Sequence, residues 1–275
     1  MIWLKIPKIS CVMVTSGRFE HLKKSLQCYL NQTYKNREIV IISQGNDEAN
    51  CKIEHYISTL GLDDITFIKA PQSLTLGSMR NLSVELAVGD IICQWDDDDL
   101  YHQDRIITQY RELRKNSSNI ASVYSSFLKY FKNSGEVYWC DWSGEPILSH
   151  KFLCGSVMFF KKAFHMYNVF YPETGGQCHV EEDLNVLEKL THKGDVVPVH
   201  EGNQYVYIYH GKNTYDIDHH KLTLNTQWGK IVLDKSELLN RKKLIETTFN
   251  DTGMKETVFV RSKDEIAFTY CTEEE

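Results

Sequence analysis

Over the first hundred residues four short apolar runs alternate with stretches of helical periodicity, and the last run stops on four consecutive aspartates. The first run, Ile9 to Thr15, ends at Ser16-Gly17-Arg18, a turn of small residues carrying one cation. Phe19 to Leu30 then places Leu22, Leu26, Tyr29 and Leu30 on one helical face and Lys23, Lys24 and Gln27 on the other. Glu38 to Ser43 and Ile65 to Lys69 read as further strands, separated by a helix over Asn50 to Leu60 that Gly61 ends. A helix over Leu76 to Val88, with Arg80-Asn81 near its start, leads into the strand Ile91 to Trp95. This alternation predicts an α/β fold around a mostly parallel sheet, because crossover helices are the usual way to join parallel neighbours. Ligands of such sheets gather at the carboxyl ends of the strands. The rule brings Thr15 to Arg18, Ser43 to Asn46 and Asp96 to Asp99 around one crevice, with Arg80 reaching it from a helix start.

Asp96-Asp97-Asp98-Asp99 sets four like charges in a row, which repel one another unless water or a cation relieves them. One resolution is a solvated loop. The other is a metal site, since Mg²⁺ and Mn²⁺ prefer oxygen ligands. Mg²⁺ usually takes one or two protein carboxylates and fills its other positions with water and substrate phosphates. That second resolution implies a diphosphate as ligand.

A formal net charge of −6 over 275 residues gives no basic footprint and argues against nucleic acid as a partner. No stretch approaches the roughly 20 apolar residues that span a bilayer, so no transmembrane segment is expected. Met1 to Pro7 is too short for a signal peptide. The expected location is cytoplasmic, with room for peripheral contact with a membrane. The eight cysteines contain no Cys-x-x-Cys and read as reduced residues, Cys11 and Cys93 within the core. Cys178-His179 lacks the second pair that a zinc site needs.

After Leu100 the rhythm changes. A helix over Asp104 to Lys115 precedes aromatic-rich strands over Ala121 to Phe131 and Glu136 to Trp142, a loop at Ser143-Gly144-Glu145-Pro146 and an apolar strand over Gly155 to Lys161. A helix over Glu181 to Lys193 opens on two glutamates and an aspartate, and strands over Val196 to Val199 and Gln204 to His210 follow. From Trp228 an amphipathic helix gives way to a hairpin of Glu256 to Val260 and Glu265 to Tyr270. Tyr138, Trp139 and Trp142 are of the type that stacks on a sugar face.

Several segments match one pattern in the same order. They are Val14-Thr15 with Arg18, Gln32-Thr33-Tyr34, Glu38-Ile39-Val40-Ile41-Ile42, Ser78-Met79-Arg80-Asn81, Ala87-Val88-Gly89-Asp90, the aspartate run, Glu182-Asp183-Leu184 and His210-Gly211-Lys212-Asn213-Thr214. Together, over roughly residues 9 to 215, they resemble the motifs of family 2 glycosyltransferases of the GT-A fold. The resemblance implies a Rossmann-like, mixed but mostly parallel central sheet flanked by helices. It implies a catalytic domain over residues 1–225, with a nucleotide-binding half over 1–99 and an acceptor half over 100–225, and a C-terminal helix and hairpin over 226–275. It also implies metal-dependent, inverting transfer of a sugar from a nucleoside-diphosphate sugar to an acceptor hydroxyl. A UDP-sugar is expected first and a GDP-sugar second; the acceptor is a glycan or a lipid-linked or protein-linked group.

By the same resemblance Thr15, Arg18, Gln44, Arg80, Asp96 and Asp97 contact the nucleotide sugar. Asp98 and His210 hold Mn²⁺ or Mg²⁺, Asp183 is the base for the acceptor hydroxyl, and Glu182 positions the acceptor or tunes that base. The family's Asp-Asp-Gly-Ser after the second strand is replaced by Ser43-Gln44-Gly45-Asn46, which puts an amide at the edge of the nucleotide base. Two other readings use the same residues. A nucleotidyltransferase would want a Gly-rich cationic phosphate loop, where this chain has Ser16-Gly17-Arg18. A non-catalytic carbohydrate- or nucleotide-binding protein would keep the fold without the chemistry.

Overall fold

The computed structural model describes residues 6–142, 152–224 and 231–271. All seven residues of β1 (Ile9–Thr15) are buried. Ile9, Cys11 and Met13 enter one apolar cluster and Val12 and Val14 the cluster on the opposite face. A strand enclosed on both faces of a parallel sheet needs apolar residues at every position, which is why its sequence shows no polar alternation. α1 (Phe19–Leu30), β2 (Arg37–Ser43), α2 (Asp47–Leu60), β3 (Ile65–Lys69), α3 (Leu76–Leu86) and β4 (Ile91–Gln94) complete three crossovers. β1, β2, β3 and β4 pair only in parallel with one another. Local chemistry sets the helix ends. Asn46 caps α2 by accepting from the Ala49 N–H at 2.9 Å, and Thr75 caps α3 by accepting from the Ser78 N–H at 3.2 Å. α3 stops at Leu86, short of the expected Val88, because the N–H groups of Val88 and Gly89 turn to the Glu38 carboxylate at 2.7 and 3.2 Å.

The chain continues through β5 (Leu100–Tyr101), α4 (Arg105–Arg114), β6 (Asn119–Tyr124), β7 (Ser126–Phe131), β8 (Glu136–Asp141), β9 (Met158–Phe160), α5 (Lys161–Met166), α6 (Glu182–Thr191), β10 (Asp195–Val199) and β11 (Tyr205–Tyr209). α7 (Ile217–Leu222), β12 (Ile231–Val232), α8 (Lys235–Asn240), α9 (Lys242–Asp251), β13 (Val258–Arg261) and β14 (Ile266–Tyr270) end it. The first sheet runs β10-β6-β9-β4-β1-β2-β3, and only β9 is antiparallel to its neighbours. The second runs β14-β13-β8-β7-β11-β5, with β12 against β8. The C-terminal hairpin of β13 and β14 joins this second sheet through parallel pairing of β13 with β8.

Two expected elements are corrected. Ala121 to Phe131 is not one strand: the chain leaves the first sheet after Tyr124 and enters the second at Ser126. Ser125 makes the crossing without an orphaned backbone group, its N–H donating to the Val199 carbonyl at 3.0 Å and its carbonyl accepting from the Trp142 N–H at 2.8 Å. Gly155 to Lys161 is a strand only from Met158, since Cys154–Ser156 coil into a short 3₁₀ turn. Trp139 and Trp142, expected as sugar-stacking residues, lie in the second sheet's core at 4% and 7% exposure. The Trp139 indole N–H donates to Ser126 Oγ at 2.7 Å, and Trp142 packs edge-on against Phe127. Tyr138 packs edge-on against Phe131. The loop at Ser143 to Pro146, Trp228 and the residues before Ile6 lie outside the described residues, while the helix expected from Trp228 is replaced, from Ile231, by the short strand β12 and, from Lys235, by the two helices α8 and α9.

Candidate functional site

The four aspartates follow the end of β4, and protein donors meet each of them, Arg18 serving both Asp97 and Asp98. Trp95, just before them, is fully buried and anchors the turn, its indole N–H donating to Ser25 Oγ at 3.0 Å. Tyr101 Oη pins the first aspartate's backbone, accepting from the Asp96 N–H at 2.9 Å and donating to its carbonyl at 3.0 Å. The Asp96 carboxylate accepts from Arg80 Nη2 at 3.1 Å. Asp97, at 1% exposure, accepts from Thr15 Oγ1 at 2.5 Å and is gripped by Nε and Nη2 of Arg18. Asp98 Oδ2 lies 2.8 Å from Arg18 Nη1 and 3.0 Å from His210 Nε2. Asp99 is sealed by Tyr205 Oη at 2.8 Å and the Ile208 N–H at 2.9 Å, which ties β11 of the second sheet to the end of β4. Protein donors therefore relieve the repulsion, and the run is not a solvated loop.

The loops around this turn are brought close by glycine. A Cβ on Gly17, whose φ is +88°, would stand 2.6 Å from the Gly45 Cα, so the turns after β1 and β2 touch backbone to backbone. His210 sits beyond β11 in a turn closed by Asn213, whose side chain accepts from the His210 N–H and donates to the Ile208 carbonyl, both at 2.9 Å. The His210 ring packs against His21 of α1 at 4.8 Å between centroids, the planes tilted by 51°. Burial opposes the Asp98 charge, but the hydrogen bond from His210 and the Arg18 guanidinium outweigh it and hold this carboxyl below its usual range.

A second acidic cluster faces the same crevice. Arg80, in the first turns of α3 and 7% exposed, donates from Nε to Glu182 Oε1 at 2.7 Å and lies over the Tyr171 ring at 5.8 Å. Glu182 and Asp183 open α6, directly after Glu181, which is held at φ +62°. A left-handed glutamate is uncommon, and here it turns two consecutive carboxylates toward Arg80 and Asp96. A Cβ on Gly155 would stand 2.6 Å from Asp96 Oδ2 and 3.6 Å from Asp183 Oδ2. Glycine therefore keeps open the gap between these two carboxylates. Burial pushes the Asp183 carboxyl up to about 7, and the Glu182 carboxylate adds to this against the pull of Arg80.

Thr15, Arg18, Asp96, Asp97, Asp98 and His210 are thus joined by direct contacts, with Arg80, Glu182 and Asp183 alongside. Two expected contacts are redirected. Arg80, expected on a diphosphate, spends Nε and Nη2 on Glu182 and Asp96. Gln44, expected at a base edge, spends its amide N–H groups on the carbonyls of Pro71 and Leu74 at 2.8 and 2.7 Å, leaving only its oxygen for a ligand. His21, Tyr101, Gly155 and Tyr205 take part without having been singled out from sequence. The aromatic residues of short strands gave no sign of it, whereas a glycine inside an apolar run was a usable signal for a close approach.

Asp98 and His210 offer one carboxylate oxygen and one imidazole nitrogen 3.0 Å apart at the rim of the aspartate turn, where the Asp98 side chain keeps 17% of its surface open and His210 only 3%. That donor set fits Mn²⁺ or Mg²⁺ completed by water and phosphate oxygens, once Arg18 Nη1 gives way.

The description "Glycosyl transferase family 2" matches residues 10–170, more than half of the chain. This chain belongs to glycosyl transferase family 2. Asp183 and His210 lie beyond the matched span. Among relatives, the family 2 chain is 28% identical over 138 residues to the glycosyltransferase GlyA of Streptococcus pneumoniae, across 48% of its own length and 20% of GlyA. The chain therefore spans about a fifth of that relative. Among solved structures, the mannosyltransferase PcManGT of Pyrobaculum calidifontis, in complex with GDP-Man and Mn²⁺, superposes with a TM-score of 0.56 at 13% identity, covering 79% of this chain and 60% of that one. TarS of S. aureus in complex with UDP-GlcNAc gives a TM-score of 0.54 at 12% identity, covering 89% and 67%. The fold is that of these GT-A glycosyltransferases: a mixed, mostly parallel sheet flanked by helices. Among the described residues no helix is long and apolar enough to cross a membrane.

Proposed function

We propose that this family 2 chain transfers a sugar, with inversion, from a nucleoside-diphosphate sugar to an acceptor hydroxyl, assisted by Mn²⁺ or Mg²⁺ on Asp98 and His210. The observation that carries the reading is the presence of two unlike acidic clusters: Asp98 beside Arg18 and His210, and Asp183, a carboxyl raised to about 7, which faces Asp96 across Gly155. When bound, the metal would supply charge neutralisation for the departing diphosphate. Arg18 faces the same place, and its Nη1, the guanidinium nitrogen not held by Asp97, would donate to a phosphate oxygen. Asp97, itself bonded by Thr15, holds Arg18 at the edge of the first sheet, and Asp96, more exposed than Asp97, faces the sugar.

On the opposite side Asp183 takes the proton of the acceptor hydroxyl. A base with a pKa near the working pH combines a useful ionised fraction with adequate proton affinity, and burial gives Asp183 that value. Arg80 donates to both Glu182 and Asp96 and so fixes the geometry of the acid cluster. UDP-sugars are the first candidates and GDP-sugars the second, in line with UDP-GlcNAc on TarS and GDP-Man on PcManGT. Release of UDP or GDP from a panel of sugar nucleotides with Mn²⁺ and candidate acceptors tests the reading. Acceptor-stimulated nucleotide release that Asp183→Asn abolishes supports it; equal release from wild type and Asp183→Asn ends the base assignment.

A further inference from the structure

We infer that Arg18 is an internal counter-cation of Asp98 that a divalent metal displaces, so that metal and nucleoside diphosphate bind cooperatively. The inference rests on the reading of Asp98 and His210 as the metal donors. Arg18 Nη1 lies 2.8 Å from Asp98 Oδ2 and 3.4 Å from His210 Nε2, and those two atoms are 3.0 Å apart. The guanidinium nitrogen thus closes a triangle on the two groups that would ligate the metal. A cation shared by Asp98 and His210 would meet a positive charge at contact distance, and one of the two must move.

Arg18 can move. It stands on the turn between β1 and α1, its side chain is 30% exposed, and Nε and Nη2 hold Asp97 independently of Nη1. The guanidinium is planar and rigid, so Nη1 leaves Asp98 as the whole group tilts on its bonds to Asp97, which keep the buried carboxylate paired with the same cation. The freed nitrogen needs an anion, and with the metal alone the rim has gained two positive charges and no negative ones. A diphosphate supplies what both cations then lack. Metal, by evicting Nη1, prepares a phosphate donor; diphosphate, by engaging Nη1, lowers the cost of eviction. Linkage requires the two effects to be equal in size.

The test is calorimetric titration of Mn²⁺, with and without UDP, into wild type, Arg18→Gln and the charge-balanced Arg18→Gln/Asp97→Asn. Wild type is expected to bind Mn²⁺ weakly alone and at least about tenfold more tightly with UDP, within the usual range of allosteric coupling. Both variants are expected to bind Mn²⁺ alone at least about fivefold more tightly than wild type and to lose several-fold of the tightening by UDP. Damage to the fold lowers metal affinity, so a gain is specific to relief from the arginine. The double variant retains the charge balance of Asp97 should the single one unfold. Mn²⁺ affinity unchanged or reduced in both variants, with wild type binding normally, overturns the inference alone. No Mn²⁺ binding by any of the three, with or without UDP, overturns it together with the metal assignment.

Discussion

The rim at Asp98 and the cluster at Asp183 are built from the same parts, carboxylates held by one arginine, yet they differ in how tightly that arginine is enclosed. Arg80 has a side chain only 8% exposed, sits on the first turns of a helix and lies over Tyr171 while it bonds Glu182 and Asp96. Arg18 has a side chain 30% exposed and sits on a loop held by a glycine pair. A buried charge that loses its partner is expensive, whereas a half-open one exchanges partners with little cost. The same chemistry is therefore rigid on one side of the crevice and exchangeable on the other. That division suits a reaction in which the base must stay in place while the diphosphate comes and goes.

The contrast can be broken most sharply at Asp183. Asp183→Asn is expected to lower turnover by about 10²–10⁴-fold, the usual contribution of a general base, while leaving nucleotide affinity within about twofold. A parallel loss of affinity would mean that the two clusters are not separate. Arg80→Met leaves Glu182 and Asp96 facing each other unpaired. Chemical denaturation should report a loss of about 3–5 kcal/mol, as for breaking a buried ion pair. The charge-balanced Arg18→Gln/Asp97→Asn, which leaves no buried carboxylate unpaired, should cost nearer about 1.5 kcal/mol, the worth of hydrogen bonds to a charged group. Equal losses would erase the distinction between fixed and exchangeable arginine. Gly155→Ala inserts a methyl 2.6 Å from Asp96 Oδ2 and should lower kcat/KM by at least about tenfold with little change in the affinity of free UDP, since small misplacements near a reacting centre are costly.

The smallest effect concerns pH. Asp183 holds its proton up to about 7 in the folded chain, whereas an unfolded aspartate loses it near about 4. Between those values the folded state binds a proton that the unfolded state has released, so this group's contribution to stability is fully present below about 4 and is lost as pH rises through 7. Asp183→Asn, which cannot ionise, should gain stability relative to wild type over that window, and the wild-type turnover should rise along a limb near pH 7. Part of the Asp183 surface is open to solvent, which keeps the stability difference small. A constant difference in melting temperature from pH 4 to 8 would show that Asp183 titrates like any exposed carboxyl.

Sequence periodicity located β1, β3 and α1 to the residue, because buried parallel strands and amphipathic helices leave unbroken local patterns. It missed the division at Ser125, since apolar and aromatic residues run through the crossing and only long-range bonds to Val199 and Trp142 mark it. The site was legible as an inventory: Asp98 with His210, and Asp96 with Arg80, are 112 and 16 residues apart and meet as direct contacts. What the inventory could not carry was the pairing. Arg80 turned from an expected phosphate ligand into the partner of Glu182, and Asp99 became a tie to β11, because burial and competing donors decide which carboxylate an arginine serves. His21, whose ring backs His210, left no mark in sequence beyond its place one turn into α1.

The central claim is that Asp98 holds the cation through which the diphosphate binds, while Asp183 does not. The most direct measurement is UDP binding by calorimetry with and without Mn²⁺ in wild type, Asp98→Asn and Asp183→Asn. The expected result is Mn²⁺-dependent UDP binding that survives in Asp183→Asn and disappears in Asp98→Asn. Binding that ignores Mn²⁺, or that persists undiminished in Asp98→Asn, would defeat the claim.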